Sequence, residues 1–545
     1  MRMRLAQSFL LAGLLAGGTG LEACTSLLVT KGASKDGSTM ITYAADSHTL
    51  FGELDFKQGG RHASTDMRDI IDSDTGKLLG RIPEAPVTYT RVGDMNECQV
   101  VIGETTFGGR KELQVASGVV DYRSLMNLGL ERARTAREAI QVMTSLVETF
   151  GYASEGESFS IGDPNEAWIL EMIGKGNGQL GAVWVAFKLP DGTISAHANQ
   201  ARIRQFPQND PTVALFSKNV IALAREKGYF KGEDKGFSFA DAYAPLSFGA
   251  LRFCEARVWS IFRRAAPSQN LSIDYVKAEK GARPLPLFIK PDQKLDVHDV
   301  MQLMRDHFEG TEFDMTKDVG AGPYKLPYRW RPMNFKVDGQ DYLHERAIST
   351  QQTAYSFVSQ SRAWLPDAVG GVLWFGLDDT YTTVYLPISC GVREAPKAFA
   401  VGTGNFNEFS WDSAFWTFNF VSNYTYTRWV DMIVDLQKIQ REFEGRFLAD
   451  QALVDRTALD FYQQNPDLAK DYLTRNAAKN TEKLVARWKK LGEFLIWKYL
   501  DGNVRDGKGE VTHPDAPADW LRNIVKDHGE VIKMKKIEGL APDEN

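Results

Sequence analysis

The fold class predicted for this 545-residue chain is α+β, an antiparallel body with an added, mainly helical C-terminal region. Two observations carry it. Strand-like runs come in groups and helix-like runs come in groups, instead of alternating as a doubly wound sheet requires. From residue 413 to 497 the spacing is helical, as in Trp429, Met432, Ile433, Leu436 and Ile439. The division expected is therefore a leader at 1–23, a body with insertions at 24–412 and a helical region at 413–545. A 43% hydrophobic and 25% charged composition supplies an ordinary core, and the net charge of −6 gives no reason to expect a nucleic-acid partner.

In chain order, Arg2 and Arg4 precede a short apolar run and then Leu21-Glu22-Ala23, the pattern of a secretory signal. The run is too short to span a bilayer, so the mature chain is expected to be exported without an integral membrane segment. Leu21-Glu22-Ala23-Cys24 also loosely matches a bacterial lipobox, which leaves a lipid-anchored surface form open. Residues 25–30 and 39–44 read as two strands joined by a turn at Asp36-Gly37. A bend near Lys35-Asp36 brings Cys24 opposite the neighbourhood of Asp46-Ser47, within a couple of places.

Residues 51–96 read as loops and short strands, and 98–105 as a further strand ending at Gly108-Gly109. Thr135-Ala136-Arg137-Glu138 has capping-box form and opens an amphipathic helix that runs to Gly151. The segments 167–172, 183–188 and 193–198 continue the sheet, the last two joined by Pro190-Asp191-Gly192. Helix-like stretches follow at 211–227 and 297–307, and strands at 354–360, 371–375 and 380–387.

No nucleophile elbow, zinc-protease helix or phosphate-binding loop is present in the sequence. His307, Glu309, Glu312 and Asp314 offer metal-type donors, but their spacing favours a polar turn after a helix. Cys98, Cys254 and Cys390 could include one disulfide or be buried small hydrophobes. Cys24 differs because of its position. Once the leader is removed, one residue carries a thiol nucleophile and an α-amine, whose reference pKa of about 7.7–8.0 suits it to accept the thiol proton. Such a site needs a carboxylate near the amine and donors for an oxyanion; Asp46 and the Asn199 amide could supply them.

The run Cys24-Thr25-Ser26-Leu27-Leu28-Val29, then Ala33-Ser34-Lys35-Asp36-Gly37-Ser38-Thr39-Met40 and Asp46-Ser47, resembles the start of the dipeptidase A family of cysteine peptidases, among the N-terminal-nucleophile hydrolases. Glu104-Thr105-Thr106, Trp168-Ile169-Leu170-Glu171 and His197-Ala198-Asn199-Gln200 resemble it further. The resemblance implies a four-layer αββα sandwich and hydrolysis of dipeptides without metal or organic cofactor. It implies Cys24 as nucleophile, Asp46 as orienting group, Asn199 as oxyanion donor, and Tyr43 and Glu104 on the substrate side. Family members often carry an arginine where this chain has Tyr43, so substrate anchoring passes to another group, with Arg346 and Arg362 both open. An amidase or acylase of the same fold is one alternative reading; a surface lipoprotein acylated at Cys24 is another. Homo-oligomerisation is left open.

Overall fold

The structure, a computed structural model, describes residues 24–47, 49–73, 75–114, 118–330 and 333–534. The leader expected at 1–23 and residues 535–545 lie outside the described residues. Two antiparallel sheets stack face to face. The first has seven strands, in the order Phe288–Ile289, Ile194–His197, Ser26–Val29, Met40–Asp46, Thr353–Gln360, Val372–Leu377 and Leu386–Ser389. The second has eight, in the order Ala214–Phe216, Ala182–Lys188, Ala167–Gly174, Gly156–Gly162, Val101–Gly108, Met95–Asn96, Arg91–Val92 and Phe56–Lys57.

Alternation along the strands builds the layers. In the second sheet Phe159, Ile161, Trp168, Leu170 and Met172 pack on Ile140, Met143 and Val147 of the helix Ala136–Phe150. Their neighbours Ile169, Ile173, Val183 and Val185 turn the other way, into the core shared with the first sheet. The helices Tyr122–Arg132 and Ala136–Phe150 thus cover the second sheet. Ala256–Ala265 and Val297–Met304 cover the first, joined by the C-terminal helices Ala414–Tyr426, Trp429–Gln464 and Pro466–Lys498. This is the αββα order, with a helical extension whose Phe418, Leu436, Leu484 and Trp488 share the core of the first sheet. Burying each such side chain contributes about 1.5–3 kcal/mol. Among the described residues no helix is long and apolar enough to cross a membrane.

Local signals behave as their chemistry requires. Thr135 accepts from the Glu138 N–H at 3.2 Å, while the Glu138 carboxylate reaches the Arg134 N–H, so the capping box is completed one residue early. The helix ends at Gly151, whose φ of +78° only glycine adopts easily. Leu28 pairs with Ile41 and Thr25 with Ala44, so the first hairpin sits two places tighter than a bend at Lys35-Asp36 would give.

Several expected elements are corrected. Ile194–His197 belongs to the first sheet, pairing with Ser26–Val29, so Pro190-Asp191-Gly192 carries the chain between sheets; the Asp191 carboxylate accepts the Gly32 N–H at 2.7 Å there. Gly156–Gly162 is an unanticipated strand. The helix expected at 211–227 is a strand, Ala214–Phe216, and then a shorter helix, Val220–Glu226. Of 380–387 only the end is strand, Leu386–Ser389, because Asp379 accepts the Thr382 and Thr383 N–H groups in a turn. The strand expected from residue 98 begins at Val101, after a turn at Gln99 with φ +65°. All four cysteines are free thiols, which removes the disulfide option.

Candidate active site

Hairpin geometry places Cys24 first. Thr25 and Ala44 exchange backbone hydrogen bonds, at 3.4 and 3.0 Å, so residue 24 stands beside the end of the strand Met40–Asp46. Cys24 is buried, with its Sγ 3.7 Å from Tyr43 Oη and 3.6 Å from Glu104 Oε1. Tyr43 donates to the same Glu104 oxygen at 2.5 Å. These residues, with Asp46, Leu50 and Tyr122, line a cleft with about 400 Å³ of empty space.

Asp46 is fully buried; its Oδ1 accepts from Thr353 Oγ1 at 2.6 Å and its Oδ2 from Arg346 Nη2 at 3.0 Å. Burial raises its pKa, against the lowering by the Arg346 charge and these hydrogen bonds. Arg346, 300 residues from Asp46 in the sequence, is therefore tied to the carboxylate beside the nucleophile. Arg362 is not at the site. It donates to the Val369 and Gly370 carbonyls, each at 2.8–2.9 Å, and to Asp455 of a C-terminal helix, which corrects its candidacy as substrate anchor.

Arg257, on the buried side of the helix Ala256–Ala265, is the residue that sequence reasoning missed. Nη1 donates to the Cys24 carbonyl at 2.6 Å and to Thr25 Oγ1 at 2.8 Å; Nη2 donates to Asn199 Oδ1 at 2.8 Å and to the Ala198 carbonyl at 3.2 Å. One planar guanidinium thus joins the chain segments of the nucleophile and of Asn199. Burial, then repulsion from Arg346, lowers its pKa to about 10, which leaves it charged near neutrality. A cation on the apolar stripe with Val258, Ile261 and Phe262 was the available sequence signal. Asn199 adopts φ +61°, a left-handed conformation asparagine tolerates, and its Nδ2 donates to the Thr106 carbonyl at 2.7 Å. Cys24, Asp46 and Asn199 are brought together, and Tyr43 and Glu104 face the sulfur.

The electrostatics hold the thiol protonated. Burial first, then the negative charges of Glu104 and Asp46, push its pKa well above the usual thiol value, opposed by the Asp46 backbone N–H directed at the sulfur. A nearby base is needed to ionise it. His197 does not serve: its ring bridges Thr105 Oγ1 and Ser160 Oγ, each at 2.7 Å, and burial lowers its pKa to about 3. The other polar cluster is a turn network. His307 contacts Glu309 and Tyr328, Asp314 bonds Thr316, and Glu312 pairs with Lys277. Among the described residues no group of three or more metal-type donors converges.

Comparison with known proteins agrees with this architecture. The model of peptidase family C69 matches residues 23–90 and 62–442. The chain is 28% identical over 398 residues to a probable dipeptidase of Latilactobacillus sakei, covering 70% of this chain and 76% of that protein. It is 25% identical to a probable dipeptidase of Salmonella dublin, covering 68% and 82%. It is 23% identical to a dipeptidase of Bifidobacterium longum, covering 69% and 72%. With matches that run from the residue before Cys24 through both sheets, the chain belongs to peptidase family C69.

Proposed function

We propose that the mature chain begins at Cys24 and is an exported cysteine dipeptidase of N-terminal-nucleophile type. One observation carries the reading: Asp46, Asn199 and the bridging Arg257 converge on a buried cysteine at the seam between leader and body. In the full sequence the Cys24 nitrogen is an amide. Removal of the leader makes it an α-amine, which takes the thiol proton. The thiolate attacks the substrate carbonyl, the tetrahedral oxyanion draws on donors such as the Asn199 amide, and collapse forms a thioester. The proton held by the amine passes to the leaving amino group, and water attacks the thioester by the same route in reverse. Asp46, fixed by Thr353 and Arg346, orients the amine; Tyr43 and Glu104 border the substrate side.

The names of the relatives support dipeptides as the substrate class, and the leader supports export. The buried sulfur favours the enzyme reading over a lipid-anchored binder, since a diacylglyceryl group on Sγ would have to displace Tyr43 and Glu104. The test is hydrolysis of a panel of unblocked dipeptides and N-acyl amino acids by the mature chain. Release of amino acids from the dipeptides, abolished in Cys24→Ala, is expected. Hydrolysis of the acyl compounds alone would assign an amidase.

A further inference from the structure

Behind the sulfur lies a second buried carboxyl that the chemistry above does not use. Glu104 and Glu157 stand on adjacent strands of the second sheet, Glu104 opposite Phe159 and Glu157 opposite Thr106. This diagonal relation puts both side chains on one face. Buried side by side, the two carboxyls cannot both be charged, and one of them keeps a proton. Their surroundings say which. Glu104 Oε1 receives the Tyr43 hydroxyl at 2.5 Å and lies within reach of the Cys24 thiol, a donor set that suits a carboxylate. Among the described residues Glu157 receives Thr106 Oγ1 alone, at 2.9 Å, and its second oxygen, like that of Glu104, has no donor. Burial raises both carboxyls; at Glu104 the Tyr43 and Cys24 donors oppose it, whereas at Glu157 the Glu104 charge adds to it and holds that group well above the usual carboxylate range. The pair therefore presents a single negative charge to the cleft. Facing it are Tyr43, Cys24, Arg123, Tyr152 and Glu155.

The geometry points to Glu104, backed by the protonated Glu157, as the acceptor of the free α-ammonium of the substrate's first residue. In any α-amino acyl substrate that nitrogen is about 2.5 Å from the carbonyl carbon, two bonds away. A carbonyl carbon seated for attack by Cys24 thus carries the ammonium into the space bordered by Glu104, whose oxygen is 3.6 Å from the sulfur. Glu104 is the binding group. Glu157 is a positioning residue, which keeps the pair at one charge and directs the Glu104 carboxylate. A site so built accepts unblocked amino termini and discriminates against acylated or deaminated ones, because removing the cation leaves a buried carboxylate unpaired.

The inference rests on the dipeptidase reading for its substrate class, so its test measures binding apart from turnover. Mature chains carrying Cys24→Ala are titrated calorimetrically with Ala-Phe and with propionyl-Phe, which has the same shape without the ammonium. Ala-Phe is expected to bind at least about 30-fold more tightly. Adding Glu104→Gln should reduce that ratio to within about threefold while leaving propionyl-Phe affinity nearly unchanged. Glu157→Leu should weaken Ala-Phe selectively, and Glu157→Gln, which keeps an uncharged polar group there, should restore it. Equal affinities of the two ligands, binding of neither, or equal losses for both in Glu104→Gln would overturn the assignment. Failure of the Cys24 chain to turn over Ala-Phe would refute the parent reading alone.

Discussion

Retention of a single residue, Ala23, should silence the enzyme. An unperturbed thiol, with pKa about 8.5, is about 3% thiolate at pH 7. Here burial and the charges of Glu104 and Asp46 push the thiol pKa up, and each further unit costs another factor of ten. The α-amine, with a reference pKa of about 7.7–8.0, is unprotonated in roughly one molecule in seven at that pH, a fraction sufficient for a general base. An amide nitrogen in its place has no basicity. A base positioned in this way contributes about 10²- to 10⁴-fold, so kcat/KM should fall at least about 100-fold in a chain that starts at Ala23. Two chains, beginning at residues 23 and 24 and verified by intact mass, would be compared on Ala-Phe at pH 7. Iodoacetamide alkylation between pH 5 and 10 should show an inflection near the amine pKa only in the chain that begins at Cys24. Activity within threefold in a chain whose mass still includes Ala23 would refute the mechanism.

Three further outcomes follow from contacts elsewhere. Arg257→Met removes the donors of the Cys24 and Ala198 carbonyls and of Asn199 Oδ1, at about 1–3 kcal/mol for each group left buried and unsatisfied. It should lower both the melting temperature and kcat, the latter about 100-fold, read by thermal denaturation and steady-state kinetics. Glu171 is fully buried and accepts the Arg202 and Ile203 N–H groups; burial raises its pKa to about 8. The folded chain therefore keeps a proton that the unfolded chain releases near pH 4.5, so this group's stabilisation is full below that pH and lost as pH rises towards 8. Glu171→Gln should flatten the decline of stability between pH 5 and 8, by at most about 1.4 kcal/mol per pH unit, measured by urea unfolding. Arg362→Met should lower the melting temperature through loss of Asp455 and the Val369 and Gly370 carbonyls, yet leave KM for Ala-Phe within twofold.

What could be read from the sequence was what local geometry controls. Cys24 meets Asp46 because a short hairpin folds back on itself, and the helix from Ala136 to Phe150 announces itself by its cap, its apolar period and its terminal glycine. Arg257 lies 233 residues from Cys24, and Arg346 300 from Asp46; no local period encodes either meeting. The strand Gly156–Gly162 escaped notice because Glu157, Ser158 and Ser160 break its apolar run, and those polar residues are buried in the sheet. The transfer of Ile194–His197 to the first sheet was equally hidden. A tight turn shows where the chain reverses, not which strand it pairs with afterwards.

On the reading that the mature chain starts at Cys24, the clamp on that residue also bears on when the cut is made. Residue 24 is 5% exposed, and Arg257 holds its carbonyl from a helix on the far side of the first sheet. Another protease cleaves a folded chain only where the segment opens. Opening here would part Cys24 from Arg257, Tyr43 and Glu104 together. A cut made by a separate enzyme therefore belongs to the interval before the sandwich closes, while the chain is still emerging.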